Sequence, residues 1–280
     1  MSRRIVVGLD GTEYSQSAVR VACIAAQAFD GVLVGVAVVD KPGIDASARG
    51  AGVGSYHYAK SLRKHRLSDA EDRTHEMLEA FEAECKAANV RCERAHHHGV
   101  PFQAIVDESR YADLIVVGIR TNFHFETSDE HGDTLRRLMQ VGVCPVLAVP
   151  KDASLPKRAI IAYDGSIHSA RAMRHFVQLA SARPDHGELI LLHVGEESKS
   201  DDHVQLGRAH KYVEGYGFDV QVIRRDGEPD EVIEQVAEEF DPSIIVIGAY
   251  GRKGIIQNLF FGSTADRLIK NERFPLFVYH

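Results

Sequence analysis

The strongest constraint on this fold is that the chain is written twice. Ile5-Val-Val-Gly-Leu-Asp10-Gly11-Thr12 recurs as Ile160-Ile-Ala-Tyr-Asp164-Gly165-Ser166, with the two aspartates 154 residues apart. At that offset Ser15 and Ala18 fall on Ser169 and Ala172. Gly99-Val-Pro101 then matches Gly227-Glu-Pro229 at an offset of 128. Gly118, Gly132, Thr134, Leu138 and Pro145 match Gly248, Gly262, Thr264, Leu268 and Pro275 at 130. Markers aligned over nearly the whole chain signal an internal duplication. The offset falls from 154 to 128, so the first half carries about 26 extra residues, mostly in 41–67. A length of 280 residues also suits two domains of about 150 each. The expected domains are 1–151 and 157–280, with a linker over 152–156.

Each half alternates short apolar runs with helical spacing. In the second half, 159–163, 188–194, 218–224, 244–247 and 276–279 read as strands. Helices are expected after Ser166 or Ser169 to about 182, and over 203–215, 229–240 and 262–271. Pro229 suits a first helical turn, and Asp230 and Glu231 suit the positive end of its dipole. The first half repeats the plan, with strands near 4–9, 32–39, 90–96, 114–117 and 146–149. Parallel strands need crossovers, so this alternation predicts α/β architecture: two tandem doubly wound, Rossmann-like domains, each with a five-stranded parallel sheet. Continuous Ile/Val runs fit strands covered on both faces.

Composition narrows the function. Hydrophobic residues at 44% and charged residues at 26% exclude a disordered chain. A net charge of −7 argues against general binding to DNA, RNA or anionic membrane. No apolar run approaches the roughly 18 residues of a membrane span. The start reads as a first strand rather than a leader. Cys23, Cys85, Cys92 and Cys144 contain no C-x-x-C pair and fit reduced thiols of a cytoplasmic protein.

The chemistry concentrates in Gly248-Ala-Tyr-Gly251, then Gly262-Ser263-Thr264. This segment leaves the fourth strand of the second half and enters its last helix. Ligands of open α/β sheets bind at the carboxyl ends of strands, where the strand order reverses. Glycines admit close backbone approach, and a helix N-terminus favours phosphate. Asp164, ending the first strand of this half, can accept hydrogen bonds from a ribose or base. It can equally cap the next helix, as can Asp10 in the first half. The segment is neither a Walker A loop nor G-x-G-x-x-G.

On these residues the chain resembles the universal stress protein family, in its tandem two-domain form. The family's ATP-binding pattern is G-x2-G-x9-G-[S/T]; here ten residues, 252–261, separate Gly251 from Gly262. The resemblance implies ATP (or ADP or AMP) with Mg²⁺, phosphates on Gly248, Gly251, Gly262, Ser263 and Thr264, Asp164 on the adenosine side, and Val194 near adenine. It also implies pairing through the last strands, over 146–149 and 277–279, and a homodimer of tandem chains. The expected function is a stress-response module that senses an adenine nucleotide in its C-terminal domain, without a dedicated catalytic centre. The alternatives are a slow ATP hydrolase or nucleotidyl-transfer enzyme, and a scaffold that binds no nucleotide.

The first half departs from that pattern. Thr121 stands where Gly251 would be, and Asp133 where Ser263 would be. Glu126, Asp129 and Glu130 would repel a triphosphate. This half is expected to have lost nucleotide binding. The insertion 41–67 reads as a flap over its crevice or as a disordered or dimer-facing excursion. His96-His97-His98 ends a strand, with His96 and His98 on one face and His97 on the other. A metal would need a further ligand, for which His57, His65 and His75 are candidates; otherwise the three are solvated histidines beside a crevice.

Overall fold

The computed structural model describes residues 3–48, 56–121, 123, 133–153, 158–182, 187–195, 200–242, 244–249 and 263–280. The chain divides into two compact units, Met1–Cys144 and Pro145–His280.

The first unit contains β1 (Arg4–Leu9), α1 (Glu13–Phe29), β2 (Val32–Val39), α2 (Lys41–Ala48), α3 (Tyr56–Ala87), β3 (Arg91–His98), α4 (Pro101–Ser109), β4 (Leu114–Gly118) and α5 (Asp133–Val141). Its strands lie in the order β3-β2-β1-β4. β1 is parallel to β2 and β4, and β2 to β3. The central β1 and β4 are almost wholly buried, which is why they are spelled with Ile, Val and Leu. β3 is an edge strand with alternating exposure, and its Arg-Cys-Glu-Arg-Ala-His-His-His sequence keeps that edge polar. It runs two residues beyond the expected 90–96, so all three histidines are in strand.

The second unit contains β5 (Val146–Val149), β6 (Arg158–Ala162), α6 (Ile167–Ala180), β7 (Glu188–Val194), α7 (Ser200–Glu214), β8 (Asp219–Arg225), α8 (Pro229–Phe240), β9 (Ile244–Gly248), α9 (Ser263–Asn271) and β10 (Leu276–Tyr279). Its strand order is β5-β10-β9-β6-β7-β8. Five strands, β6 to β10, are mutually parallel. β5 joins them antiparallel along β10, with Leu147 opposite Phe277. The expected pairing of 146–149 with 277–279 is therefore formed. Both edges of β10 are consumed within the chain, so a second copy would have to dock elsewhere.

Both units are thus α/β with mostly parallel sheets. The two Asp-Gly turns after β1 and β6 share the conformation of their glycine: Gly11 has φ +77° and Gly165 φ +76°. Only glycine enters that left-handed region without strain, which explains why the dipeptide is repeated.

The insertion is not a structureless excursion in its described part. It forms α2 and the opening turns of α3. Asp40 caps α2, its Oδ1 accepting from Gly43 N at 3.0 Å. Ile44 of α2 is buried against Val39 and Ala70, with Leu67 packed beside them. Arg63 of α3 donates to Asp45 of α2 through two nitrogens, at 2.5 and 3.3 Å. α2 and α3 thereby cover the carboxyl end of β2. No helix among the described residues is long and apolar enough to cross a membrane. Cys23, Cys85, Cys92 and Cys144 are all free thiols.

Candidate functional site

In the second unit the strand order reverses between β6 and β9: β7 follows β6 on one side, and β10 follows β9 on the other. Crossovers leaving in opposite directions open a crevice at the carboxyl ends of these two strands. Tyr163-Asp164 leaves β6 there, and Gly248-Ala249 leaves β9. Tyr163 N donates to Leu192 O at 2.8 Å, and His193 Nδ1 donates to Tyr163 O at 2.9 Å. A carbonyl cannot donate, so this bond puts the proton on Nδ1. The two bonds prolong the β6–β7 ladder and set Asp164 beside the end of β7, where Val194 is half-buried.

Asp164 does not cap α6. Its Oδ1 accepts from Ser166 N at 2.9 Å, and Ser166 is the cap, accepting from Ser169 N at 3.1 Å. Asp10 is likewise displaced from capping α1 by Thr12, which accepts from Ser15 N at 3.2 Å. Each aspartate instead shapes the turn ahead of its helix.

Gly248 has a packing reason to be glycine. A Cβ added there would stand 2.7 Å from Ser169 N and 2.8 Å from the His168 carbonyl carbon. Its repeat partner Gly118 faces the same turn of α1, with Tyr14 Cβ at 2.6 Å and Ser15 N at 3.3 Å. The first turn of the helix is thus pressed against the strand end that carries the glycine. Beside it, burial and then Arg171 push the His168 pKa down, against an opposing pull from Asp164. His168 therefore stays neutral further into the acid range than an ordinary histidine.

Ser263 opens α9 and Thr264 is half-buried in its first turn. The position of α9 is set from α8. Arg267 Nη1 donates to Asp230 Oδ2 at 2.9 Å, and its Nη2 lies 3.4 Å from Glu234 Oε2. Asn271 and Arg273 pair with Glu234 and Glu238. Single exposed pairs contribute little, but a network directed at one helix fixes its register. Of the expected site residues, Asp164, Val194 and Gly248 come together at the ends of adjacent strands. Ser263 and Thr264 start the helix that follows. Gly251 and Gly262 lie outside the described residues.

At the equivalent place in the first unit, the ends of β1 and β4 are bridged by side chains. Asp10 Oδ1 accepts from Thr12 N at 2.9 Å and Thr12 Oγ1 at 2.7 Å. Asp10 Oδ2 accepts from Thr121 Oγ1 at 3.0 Å, a bond spanning 111 residues of sequence. Phe123 is buried over β1, its ring tip 2.8 Å from where a Gly8 Cβ would stand. Glu126, Asp129 and Glu130 lie outside the described residues. Thr121 is 3% exposed, so its hydroxyl has little water to fall back on. Thr121→Val is expected to cost the first unit about 1–2 kcal/mol in urea unfolding, since bonds to charged groups exceed the usual hydrogen bond. A loss below about 0.5 kcal/mol would show that the latch does not hold in solution.

A cavity of about 650 Å³ lies in this same first unit, between α1 and α3. Asp10 and Asp40 stand at its strand-end rim, and Val19, Met77 and Phe81 line its apolar wall. Its volume is in the range of small-molecule pockets. Sequence reasoning missed it, because it depends on how two helices from different segments splay over β2. It also missed the Thr121–Asp10 latch, for which the only signal was a hydroxyl residue replacing glycine in the repeat.

A family model described as the universal stress protein family matches residues 1–150 and 195–280. A universal stress protein of Synechocystis is 25% identical over 188 residues, 66% of this chain and 63% of that protein. The chain therefore spans less than two thirds of that relative's length. A universal stress protein of Methanocaldococcus jannaschii is 27% identical over 143 residues, 45% of this chain and 82% of that protein. The crystal structure of a universal stress protein from Archaeoglobus fulgidus superimposes with a TM-score of 0.73 at 19% identity, over 100% of this chain and 98% of that one. That last likeness concerns the fold, and it agrees with the α/β plan of each unit. With a family match over both halves of the repeat, the chain belongs to the universal stress protein family.

Proposed function

We propose that the chain binds an adenine nucleotide, ATP with Mg²⁺, in its second unit, and works in the cytoplasm as a nucleotide-sensing module of a stress response. One contrast carries this reading. In the first unit the strand-end carboxylate of Asp10 is latched by Thr121. The repeat position in the second unit is Gly251, which has no hydroxyl to form such a latch. Asp164 and Val194 flank the β6 and β7 ends where the adenosine portion would lie. The N-terminal turn of α9, entered through Gly262-Ser263-Thr264, offers amides and hydroxyls of the kind that hold phosphate. Arg252 and Lys253 add positive charge to the intervening segment, in contrast to the carboxylates of the first half.

The test is thermal unfolding of the full chain with and without 1 mM Mg-ATP, a concentration at about 100-fold over a Kd of about 10 μM. A ligand that binds only the folded state then contributes about 2.7 kcal/mol. The expected rise in Tm is about 5–10 °C. The double variant Ser263→Ala/Thr264→Ala should lose most of it. No rise in the wild type overturns the proposal. A rise that survives in the double variant places the nucleotide elsewhere, with the cavity between α1 and α3 as the next location to probe.

A further inference from the structure

His96 and His98 point to the same face of β3 and converge on one carboxylate from α3. His96 Nε2 lies 3.3 Å from Glu71 Oε2, and His98 Nδ1 lies 3.4 Å from Glu71 Oε1. The two imidazole centroids are 4.9 Å apart. One ligand atom from each of the three residues falls within 4.8 Å of the others. His97, between them, faces the other side of the sheet and pairs with Glu108 of α4 at 3.0 Å. We infer that Glu71, His96 and His98 form a binding site for a divalent transition-metal ion of the Zn²⁺ class, joining α3 to the edge strand of the first unit.

The chemistry and the geometry agree. Two imidazole nitrogens and one carboxylate oxygen are a donor set for Zn²⁺ and its neighbours, not for Ca²⁺ or Mg²⁺, which prefer all-oxygen shells. A tetrahedral ion with bonds of about 2.0–2.1 Å holds its ligands about 3.3–3.4 Å apart. Each imidazole lies at about that separation from one oxygen of Glu71, His96 from Oε2 and His98 from Oε1. Rotation of the imidazoles and of the Glu71 carboxylate about their side-chain bonds would bring one donor atom from each residue, now within 4.8 Å of the others, to that spacing. The ligand side chains are 35–40% exposed, so the fourth position opens to water. This is the three-ligand pattern of an accessible site rather than a closed structural one.

Of the candidate further ligands, His65 and His75 have other partners one turn along α3, Asp69 and Glu79, each at 3.2 Å. The side chain of His57 lies outside the described residues. The ligand that completes the pair is Glu71, which local spacing could not single out, because it stands 25 residues upstream on a helix crowded with carboxylates.

Zinc chloride titrated calorimetrically into untagged, chelator-stripped full chain tests the inference, with magnesium and calcium chlorides as comparisons. About one equivalent of Zn²⁺ is expected to bind in preference to the other two ions. His98→Gln and Glu71→Gln should each weaken that binding at least about tenfold, while His97→Gln leaves it unchanged. Co²⁺ should give the visible absorption of a tetrahedral ion in the wild type and in His97→Gln, and not in His96→Gln/His98→Gln. All these side chains are partly exposed, and circular dichroism will confirm that each variant is folded. Absent zinc uptake, or equal uptake by wild type, His98→Gln and Glu71→Gln, overturns the site and leaves Glu71 as a hydrogen-bond acceptor between two imidazoles.

Discussion

Phe81→Ala is expected to destabilise the first unit by about 3 kcal/mol, at the lower end of the range of about 3–5 kcal/mol for burying no ring where a phenylalanine stood. Phe81 is 2% exposed on α3, and its ring fills the space that Gly35 leaves in β2. A Cβ on Gly35 would approach Cδ1 and Cε1 of that ring at 2.6 Å. The glycine and the ring are therefore one packing unit: the strand gives up a side chain and the helix supplies an aromatic. The loss falls at the lower end because Phe81 also lines the cavity of about 650 Å³, so water can enter the space it vacates. Urea unfolding followed by far-UV circular dichroism measures it; the chain has no Trp to serve as a fluorescent probe. Gly35→Ala should be destabilising on its own and milder when the ring is already removed, because the two sites are coupled. A loss below about 1 kcal/mol for Phe81→Ala would mean that the ring is not packed in this notch.

Gly248→Ala and Gly118→Ala should weaken stability alike and differ in nucleotide affinity. In each, the added methyl meets helix atoms of the first turn, at 2.7 Å from Ser169 N or 2.6 Å from Tyr14 Cβ. Backbone cannot rotate out of the way as a long side chain can, so the helix start has to shift. Overpacking of this kind costs about 1–3 kcal/mol. That corresponds to a fall in Tm of about 2–4 °C per kcal/mol for chains of this size class. In the second unit the shift would displace the Ser166–Ser169 turn, to which Asp164 is bonded. Gly248→Ala should therefore also lower ATP affinity by at least about tenfold, or about 1.4 kcal/mol. Gly118→Ala, in the latched unit, should leave ATP affinity unchanged. Equal affinity in the two variants would remove the β6–β9 crevice from the nucleotide site.

Much of the architecture was legible before any coordinates. Repetition of strand-Asp-Gly, Ile/Val runs and the Pro229 helix start specify alternating strands and helices, because strand burial on both faces and helix capping leave local marks in sequence. The helix predicted over 229–240 is the observed α8, and Ser166 was among its expected caps for α6. The fate of 41–67 was not legible: glycines suggest loop, yet Ile44 and Leu67 find a partner in Val39 and the described parts of the segment are helix, in α2 and the start of α3. Packing against a strand end outweighed weak local preference.

The site divides in the same way. Sequence by itself determined that the chain is duplicated, that both copies are α/β, and that the glycine-rich segment enters the last helix of the second copy. Those features reside in residues close together in the chain, whose chemistry acts within one turn or one strand. Tertiary structure decided that Gly118 and Gly248 admit the neighbouring helix, that Thr121 reaches Asp10, and that Glu71 meets His96 and His98. Each of these depends on a crossover bringing distant segments within a few ångströms, and contact at that range is set by how helices pack on a sheet, not by spacing along the chain.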